Sequence, residues 1–405
     1  MLVGIIGGGA SGMMAALSAC RMPDVHVVLY ERQARLGRKL MATGNGRCNL
    51  SNRAADAAHY HGGDPGFAGS VLARFGVDDT LAFFRSLGLL TVDEPDGKIY
   101  PFSDQANSVS DVLRLALEQS GTELRLGCEV RAIRREGDGF TVRYDGGEDR
   151  LDRVIVAAGG LAGGKLGGTG AGYDLLKALG HRCTKLYPAL VQLRTDNTWV
   201  RSCKGVRAQA KVSLLQGGAV LAEETGEVQF TDFGISGPCV FSLARACAGR
   251  DGLTAVLDLC PMLAQDEIES YIVNKGAAFP ELPLEDLLTG LLHNRLGRTV
   301  LRERGYALTQ SCGSLRDPDY SRIAAGIKAF RLPVLGPMDL SQAQVTAGGI
   351  VTADFDPRTL ESRLVPGLFA TGEVLDVDGD CGGFNLQWAW SSGYVAGLLG
   401  REDAP

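Results

Sequence analysis

Apolar positions along this chain fall into two kinds of run. Short, mostly apolar runs lie at residues 2–6, 25–30, 154–158, 344–351 and 367–371. Runs of that length without polar alternation predict strands buried on both faces, as in a parallel sheet covered by helices. The first is broken by Gly7 to Gly12, then followed by a small-residue, helix-compatible stretch at 13–20 and the run ending at Glu31. Strand, turn, helix and strand in that order make a βαβ unit, which requires parallel strands. Residues 77–87 and 107–120 read as helices, with Ser108 or Ser110 as N-cap candidates for the second. Residues 123–158 read as strands with glycine turns near 137–139 and 145–147.

The middle of the chain changes period. A helix is expected at 173–179. From 186 to 258 the pattern alternates, predicting strands at 210–214, 219–223 and 227–230. Residues 262–330 turn helical, with breaks at Pro280, Pro283 and Pro318. Buried-strand character then returns, and residues 385–399 form a last helix apolar on more than one face. One sheet interrupted by inserted domains explains this order. The expected division is a discontinuous first domain at 1–185 and 344–405, a β-rich insert at 186–260 and 331–343, and a helical subdomain at 261–330. No internal repeat is evident.

Composition adds one unusual number. The 405 residues include 55 glycines, about twice the usual share of roughly 7 %. With only 15 prolines and no triplet period, collagen is excluded. So many glycines in a globular chain mark places where backbone turns sharply or closely approaches something. Lys plus Arg is 41 against 47 Asp plus Glu, a net charge of −6, which disfavours a general nucleic-acid footprint. Residues 1–20 carry no charged side chain, but five glycines and no basic n-region argue against a signal peptide or membrane anchor. Ten scattered cysteines without C-x-x-C fit free thiols in a reducing compartment, so a cytoplasmic location and no membrane partner are expected. Five histidines, with only His59 and His61 close together, show no zinc spacing, and no metal is expected.

The sharpest motif is Gly7-x-Gly9-x-x-Gly12, which follows a strand and opens a helix. The first glycine permits the tight turn, the second lets backbone reach a pyrophosphate, and the third lets helix pack on strand. Ala10 and Ser11 open a helix whose free N–H groups and dipole favour phosphate. Glu31 ends the second strand nineteen residues past the last glycine, where a carboxylate accepts from ribose hydroxyls. An acid there disfavours a 2′-phosphate, so FAD or NAD is expected over NADP. Two further segments select FAD. Residues 154–160 are an apolar strand ending in Ala158-Gly159-Gly160. Residues 368–376 repeat the pattern, ending in Thr371-Gly372-Glu373 with Asp376 beyond. Flavoproteins of the glutathione-reductase type commonly carry this pair. The late aspartate would bind ribitol, and the helix opening near Phe384 would aim its positive end at the flavin N1/C2=O edge.

More of the chain fits one family. Gly37-Arg38-Lys39-Leu40-x-x-Thr43-Gly44-Asn45-Gly46-Arg47-Cys48-Asn49-Leu50-x-Asn52 resembles the signature of the BaiN/YhiN-like flavoproteins, which include enzymes called aminoacetone oxidases. Phe230 to Pro238, Thr346 to Ile350, Gly372 to Asp376 and Gly382 to Gln387 match in family order. The resemblance implies an α/β fold: a glutathione-reductase-type FAD-binding Rossmann domain, with an inserted β-barrel-like domain that holds a helical subdomain. Departures at Asp232, often His in the family, and at Cys381 bear on substrate choice. The expected FAD contacts are Gly7, Gly9, Ala10, Ser11, Gly12, Glu31, Arg38, Lys39, Gly44, Asn45, Gly46, Arg47, Val130, Ala158, Gly159, Gly372, Glu373, Asp376, Gly383, Asn385 and Leu386.

Arg47 either pairs with an anion or clamps its loop to the sheet. Cys48 is the candidate general acid, weighed against an inert buried thiol. Tyr100, Trp388 and Trp390 read as packing, since Trp388 and Trp390 point to different faces of a helix. No second dinucleotide motif follows a strand. NAD(P)H therefore docks transiently as electron donor, or dioxygen reoxidises the flavin. The expected activity is hydride transfer through flavin N5 to an activated C=C bond of a small molecule. The alternatives are reduction of a ribosomal-RNA uridine and oxidation of an amine such as aminoacetone. Arg295, Arg298, Arg302 and Arg304 form the basic cluster that would serve the RNA reading.

Overall fold

The computed structural model describes residues 1–401, which divide into two compact units, 1–187 with the chain from 340 onward, and 188–339. The first unit is built on five parallel strands in the order Leu368–Ala370, Arg153–Val156, Leu2–Ile6, His26–Glu31 and Glu123–Leu126. The first four are the apolar runs, and Val3, Ile5, Val154, Ile155, Val156, Leu368, Phe369 and Ala370 are all sealed from solvent. Helices cover the sheet, so its strands cannot alternate apolar with polar residues.

Helix Ala10–Ala19 lies against the last helix, Phe384–Gly397, and glycine sets how close they come. A Cβ on Gly393 would stand 2.4 Å from Ser11 O, and one on Gly397 2.5 Å from Ala15 O. Trp388 and Trp390 are buried and point apart, donating to Gly372 O at 3.1 Å and to Leu50 O at 2.9 Å. They pack, as their spacing predicts. The helix expected at 107–120 runs Ala106–Gln119, but its N-cap is Gln105 without a side-chain cap. Ser108 instead lies inside the first turn and bonds Ser103 Oγ at 2.7 Å, so it is not the cap.

The second unit is a closed barrel of six strands in the order Leu193–Thr195, Gly234–Ser236, Ala219–Phe230, Arg207–Gln216, Leu253–Asp258 and Phe330–Pro337. Strict alternation points Ala210, Val212 and Leu214 inward with Leu253, Ala255, Leu257, Phe330 and Leu332, all buried. The two strands expected at 219–223 and 227–230 are one. The polar run Glu223-Glu224-Thr225 hides the continuity, because a barrel strand with an exposed face tolerates charge there. The hairpin before it turns on Gly217 and Gly218, both at positive φ of 57° and 87°, as a tight two-residue turn requires. Helices Gln265–Ala278, Asn294–Glu303 and Asp317–Lys328 stand between the last two barrel strands in sequence.

Candidate functional site

The glycine turn after the first strand shows three different steric situations. Gly7 has φ 110°, and a Cβ there would meet Ala157 O at 2.4 Å. A Cβ on Gly12 would stand 1.8 Å from Gly7 O, so no side chain fits. A Cβ on Gly9 would meet nothing within 4 Å. Gly9 is also the helix N-cap and supplies no side-chain cap, so the first N–H groups, beginning at Ala10 and Ser11, face that open space. Glu31 is fixed beside it. Its Oε2 accepts from Gly8 N–H and its Oε1 from Gln33 N–H, each at 2.7 Å. A carboxylate has further lone pairs for hydroxyl donors. Cys128 N–H donates to Glu31 O at 2.9 Å, which sets the start of the Val130–Glu136 strand near the same acid.

A second helix end repeats the arrangement. Gly383, at φ 101°, caps Phe384–Gly397, again without a side-chain cap. A Cβ on it would strike Ser51 O at 2.4 Å and Asn49 Oδ1 at 2.7 Å. Asn49 Oδ1 and Thr371 Oγ1 are buried acceptors without a hydrogen-bond partner. Such atoms are costly unless something satisfies them. Asp376 is buried, and its Oδ2 accepts from Gly63 N–H at 3.1 Å. Asn385 ties the preceding loop to the helix, accepting from Gly379 N–H at 2.9 Å and donating to Gly379 O at 2.7 Å. Leu386, in the first turn, is half-buried.

Ala158 and Gly159 adjoin the first end, where a Cβ on Gly7 would stand 2.9 Å from Ala158 Cα. Gly159 has φ 71° and open space where its Cβ would be. A Cβ on Gly372 would meet Ser11 Oγ at 2.5 Å, and one on Gly160 would meet Glu373 Oε1 at 2.7 Å. Glu373 bridges two segments, accepting from Thr346 N–H at 2.8 Å and pairing with Lys39 Nζ at 2.6 Å. Residues 7–12, 39, 158–160, 346 and 371–376 therefore adjoin one another. Arg38 lies at the edge, exposed, and donates to Gln33 Oε1 at 2.8 Å.

The polar loop holds its shape through left-handed backbone at Gly44, Asn45 and Gly46, with φ of 57°, 56° and 87°. Gly46 also faces open space. Arg47 is engaged as a clamp: its Nε bonds Asp104, its Nη2 bonds Glu94 at 2.8 Å, and its guanidinium sits 4.0 Å from the Tyr100 ring centroid. The two carboxylates hold it above the ordinary guanidinium range. Cys48 is wholly buried, and burial pushes its thiol up to about 12 against a hydrogen bond with Thr43. With no exposed surface, the Cys48 thiol lies in the core.

Other features sort similarly. Asp232 pairs with Lys204 at 2.6 Å, both side chains largely exposed. The four-arginine cluster is mostly committed. Arg295 donates to Lys204 O, Arg298 faces Glu285 and Asp286, and Arg304 pairs with Glu303. No group of His, Cys, Asp and Glu among the described residues is arranged to hold a metal, no disulfide joins any of the described cysteines, and no described helix is long and apolar enough to cross a membrane. Sequence reasoning missed one cluster: His59 and His61 both bond Asp380, beside the second helix end. The H-x-H spacing was its only visible signal.

The HI0933-like protein Rossmann domain model matches residues 1–399. The chain is 41 % identical to the 3-dehydro-bile acid delta(4,6)-reductase of Clostridium scindens, over 99 % of each chain. It is 29 % identical to the ribosomal RNA dihydrouridine synthase of Escherichia coli, over 96 % of each. A 3-ketosteroid delta1-dehydrogenase from Sterolibacterium denitrificans superimposes with a TM-score of 0.51 at 13 % identity, covering 98 % of both chains, a likeness of fold. The architecture is a Rossmann-type FAD-binding domain with a closed six-stranded barrel and helical regions. With a family model spanning nearly its whole length, the chain belongs to the HI0933-like Rossmann family.

Proposed function

We propose that this chain, an FAD-dependent oxidoreductase, reduces a C=C bond conjugated to a carbonyl in a small molecule. The observation that carries the FAD assignment is the pair of glycine N-caps at Gly9 and Gly383, each opening a helix without a side-chain cap. Steric room at Gly9, Gly46 and Gly159, and the unpartnered acceptors Asn49 Oδ1 and Thr371 Oγ1, fit a ligand running from one helix to the other. The reaction class rests on the whole-length relation to a delta(4,6)-reductase.

Gly7, Gly9, Ala10, Ser11 and Gly12 would hold the pyrophosphate, with the helix N–H groups as donors. Glu31 would take the ribose hydroxyls, and the backbone at Val130 would border the adenine. Ala158, Gly159, Gly372, Glu373 and Asp376 would line the ribitol. Lys39 would act through Glu373, keeping it turned toward Thr346 N–H. Gly44, Asn45 and Gly46 would lie along the cofactor, with Arg38 at its rim and Arg47 holding that loop in shape. Gly383, Asn385 and Leu386 would set the helix end that stabilises negative charge on the ring system. When bound, FAD supplies the hydride. The protein's part is to orient substrate, exclude water and deliver the proton.

The test is direct. The purified holoenzyme is reduced anaerobically and mixed with a steroidal enone, and the product is weighed. Flavin reoxidation with a product two hydrogens heavier is expected. Reoxidation by air alone at a catalytic rate would favour the amine-oxidase reading. The two relatives named as ribosomal RNA dihydrouridine synthases motivate a second arm. Ribosomal RNA from a deletion strain is expected to keep its dihydrouridine, and its loss would replace the small-molecule reading. Screening NADH and NADPH as reductants identifies the donor.

A further inference from the structure

His59 and His61 share one carboxylate from 321 and 319 residues away. His59 Nδ1 lies 3.0 Å from Asp380 Oδ2, and His61 Nε2 lies 2.7 Å from Asp380 Oδ1. Backbone brings them together: Tyr60–His61 pairs with Asp378–Gly379, and Asp380 N–H donates to His59 O at 3.0 Å. The His59 ring stacks on Phe384, the first residue of the last helix, with centroids 4.5 Å apart. Tyr60 Oη donates to Phe384 O at 2.9 Å, and Asn385 Nδ2 reaches Asp380 O at 3.3 Å. The cluster is thus fastened to the helix end that the proposed function gives to the flavin ring. The three side chains nevertheless keep 36 %, 36 % and 35 % of their surface open.

The two imidazoles are held differently. Asp380 takes His59 by Nδ1, and Nε2, the ring nitrogen farthest from the backbone, has no hydrogen-bond partner among the described residues. It takes His61 by Nε2, leaving the nitrogen nearest His61's own backbone. A carboxylate on Nδ1 fixes the ring's orientation, which is the arrangement that makes Nε2 an acid–base atom. Burial alone would raise Asp380, but hydrogen bonds from His61 and His59 outweigh it and keep the group an anion below the usual carboxylate range.

We propose that His59 Nε2–H donates the proton of the C=C reduction, with Asp380 as its positioning residue and His61 as the second donor that holds Asp380 in place. The inference rests on the C=C-reductase reading. In the step, the β-carbon receives a hydride with its electron pair, supplied by reduced FAD. The π pair moves toward the carbonyl. The α-carbon then takes H⁺ from His59 Nε2, the N–H pair stays on the imidazole, and water reprotonates it. The substrate gains two hydrogens and FAD is left oxidised.

The test uses holoenzyme of wild type, His59→Gln, His59→Ala, His61→Gln and Asp380→Asn, reduced anaerobically with dithionite and mixed with a conjugated enone. His59→Gln is expected to keep FAD yet reoxidise about 10²–10⁴-fold more slowly, the range for a lost general acid. Added imidazole should restore part of the rate in His59→Ala, and His61→Gln should stay within tenfold of wild type. A phenol, whose anion mimics the enolate, should give charge-transfer absorbance with oxidised wild type and bind His59→Gln at least tenfold more weakly. If His59→Gln does not fold, Asp380→Asn carries the test, and an unchanged rate there overturns the proposal. A wild type that no enone reoxidises overturns the C=C reading and this inference together. A reactive wild type with an equally fast His59→Gln overturns this inference alone.

Discussion

Gly9→Ala and Gly12→Ala are three positions apart and make opposite predictions. Gly9 has φ −79° and ψ −171°, ordinary extended backbone that alanine adopts freely. Its Cβ would meet no protein atom within 4 Å, so packing is undisturbed. The apoprotein loses only the small difference between glycine and alanine at an N-cap, about 0.5–1 kcal/mol. The new methyl instead stands where the ligand would lie. One misplaced methyl in a close contact costs about 1–3 kcal/mol, which at 1.4 kcal/mol per decade weakens FAD binding roughly 5- to 150-fold.

Gly12→Ala acts on the fold. Alanine gains about 1 kcal/mol of helix propensity, but its Cβ would lie 1.8 Å from Gly7 O, and the carbonyl belongs to the turn leaving the central strand. The helix must move off the sheet, and overpacking of that kind costs 1–3 kcal/mol or more. Each net kcal/mol lowers the melting temperature by roughly 2–4 °C in a domain of this size. The assays are thermal melting of both apoproteins and fluorescence titration with FAD. A Gly9→Ala protein that binds FAD as tightly as wild type would refute the placement of the ligand over Gly9. An undisturbed melting temperature in Gly12→Ala would refute the packing argument.

Three further outcomes follow from the same contacts. Cys48→Ala should keep both FAD and turnover, and the native thiol should resist alkylation at pH 7 because burial pushes it up to about 12; lost turnover with flavin still bound would return the thiol to the chemistry. His181 is buried, stacked on Phe355, and held below the ordinary imidazole range chiefly by burial, although Asp354 opposes this. The unfolded chain therefore takes this proton first as pH falls, so stability is full above about pH 6.5 and declines below it by at most about 1.4 kcal/mol per pH unit. His181→Gln should flatten that slope in urea melts between pH 7 and 5, and an unaltered slope would contradict it. Gly393→Ala places a Cβ 2.4 Å from Ser11 O; overpacking of about 1–3 kcal/mol against about 1 kcal/mol of helix propensity leaves a net loss of up to about 2 kcal/mol, read as a lower melting temperature.

Some of this was legible in sequence because it is local. The turn from Gly7 to Gly12 states its own geometry: six neighbouring residues decide which φ angles and Cβ positions are allowed, and Glu31 follows at the length of one helix and one strand. The sheet strands at 2–6 and 154–156 are readable for a related reason, since burial on both faces leaves no room for polar residues. The barrel was only partly readable, because Glu223 and Glu224 on an exposed face disguise one twelve-residue strand as two.

Tertiary structure decided what distant side chains do. Arg47 and Cys48 are neighbours in one motif, yet one is a half-exposed clamp on Glu94 and Asp104 and the other is sealed in the core. Nothing within the motif separates those roles. They depend on which face of the loop meets residues 94–104. His59, His61 and Asp380 are a pair and a single residue in sequence, and become one acid–base cluster only when Tyr60–His61 pairs with Asp378–Gly379. Backbone conformation is set over a few bonds, so contiguous residues encode it. Hydrogen-bond partners and burial are set by which surfaces the folded chain brings together, and a sequence records those only after the chain has closed on itself.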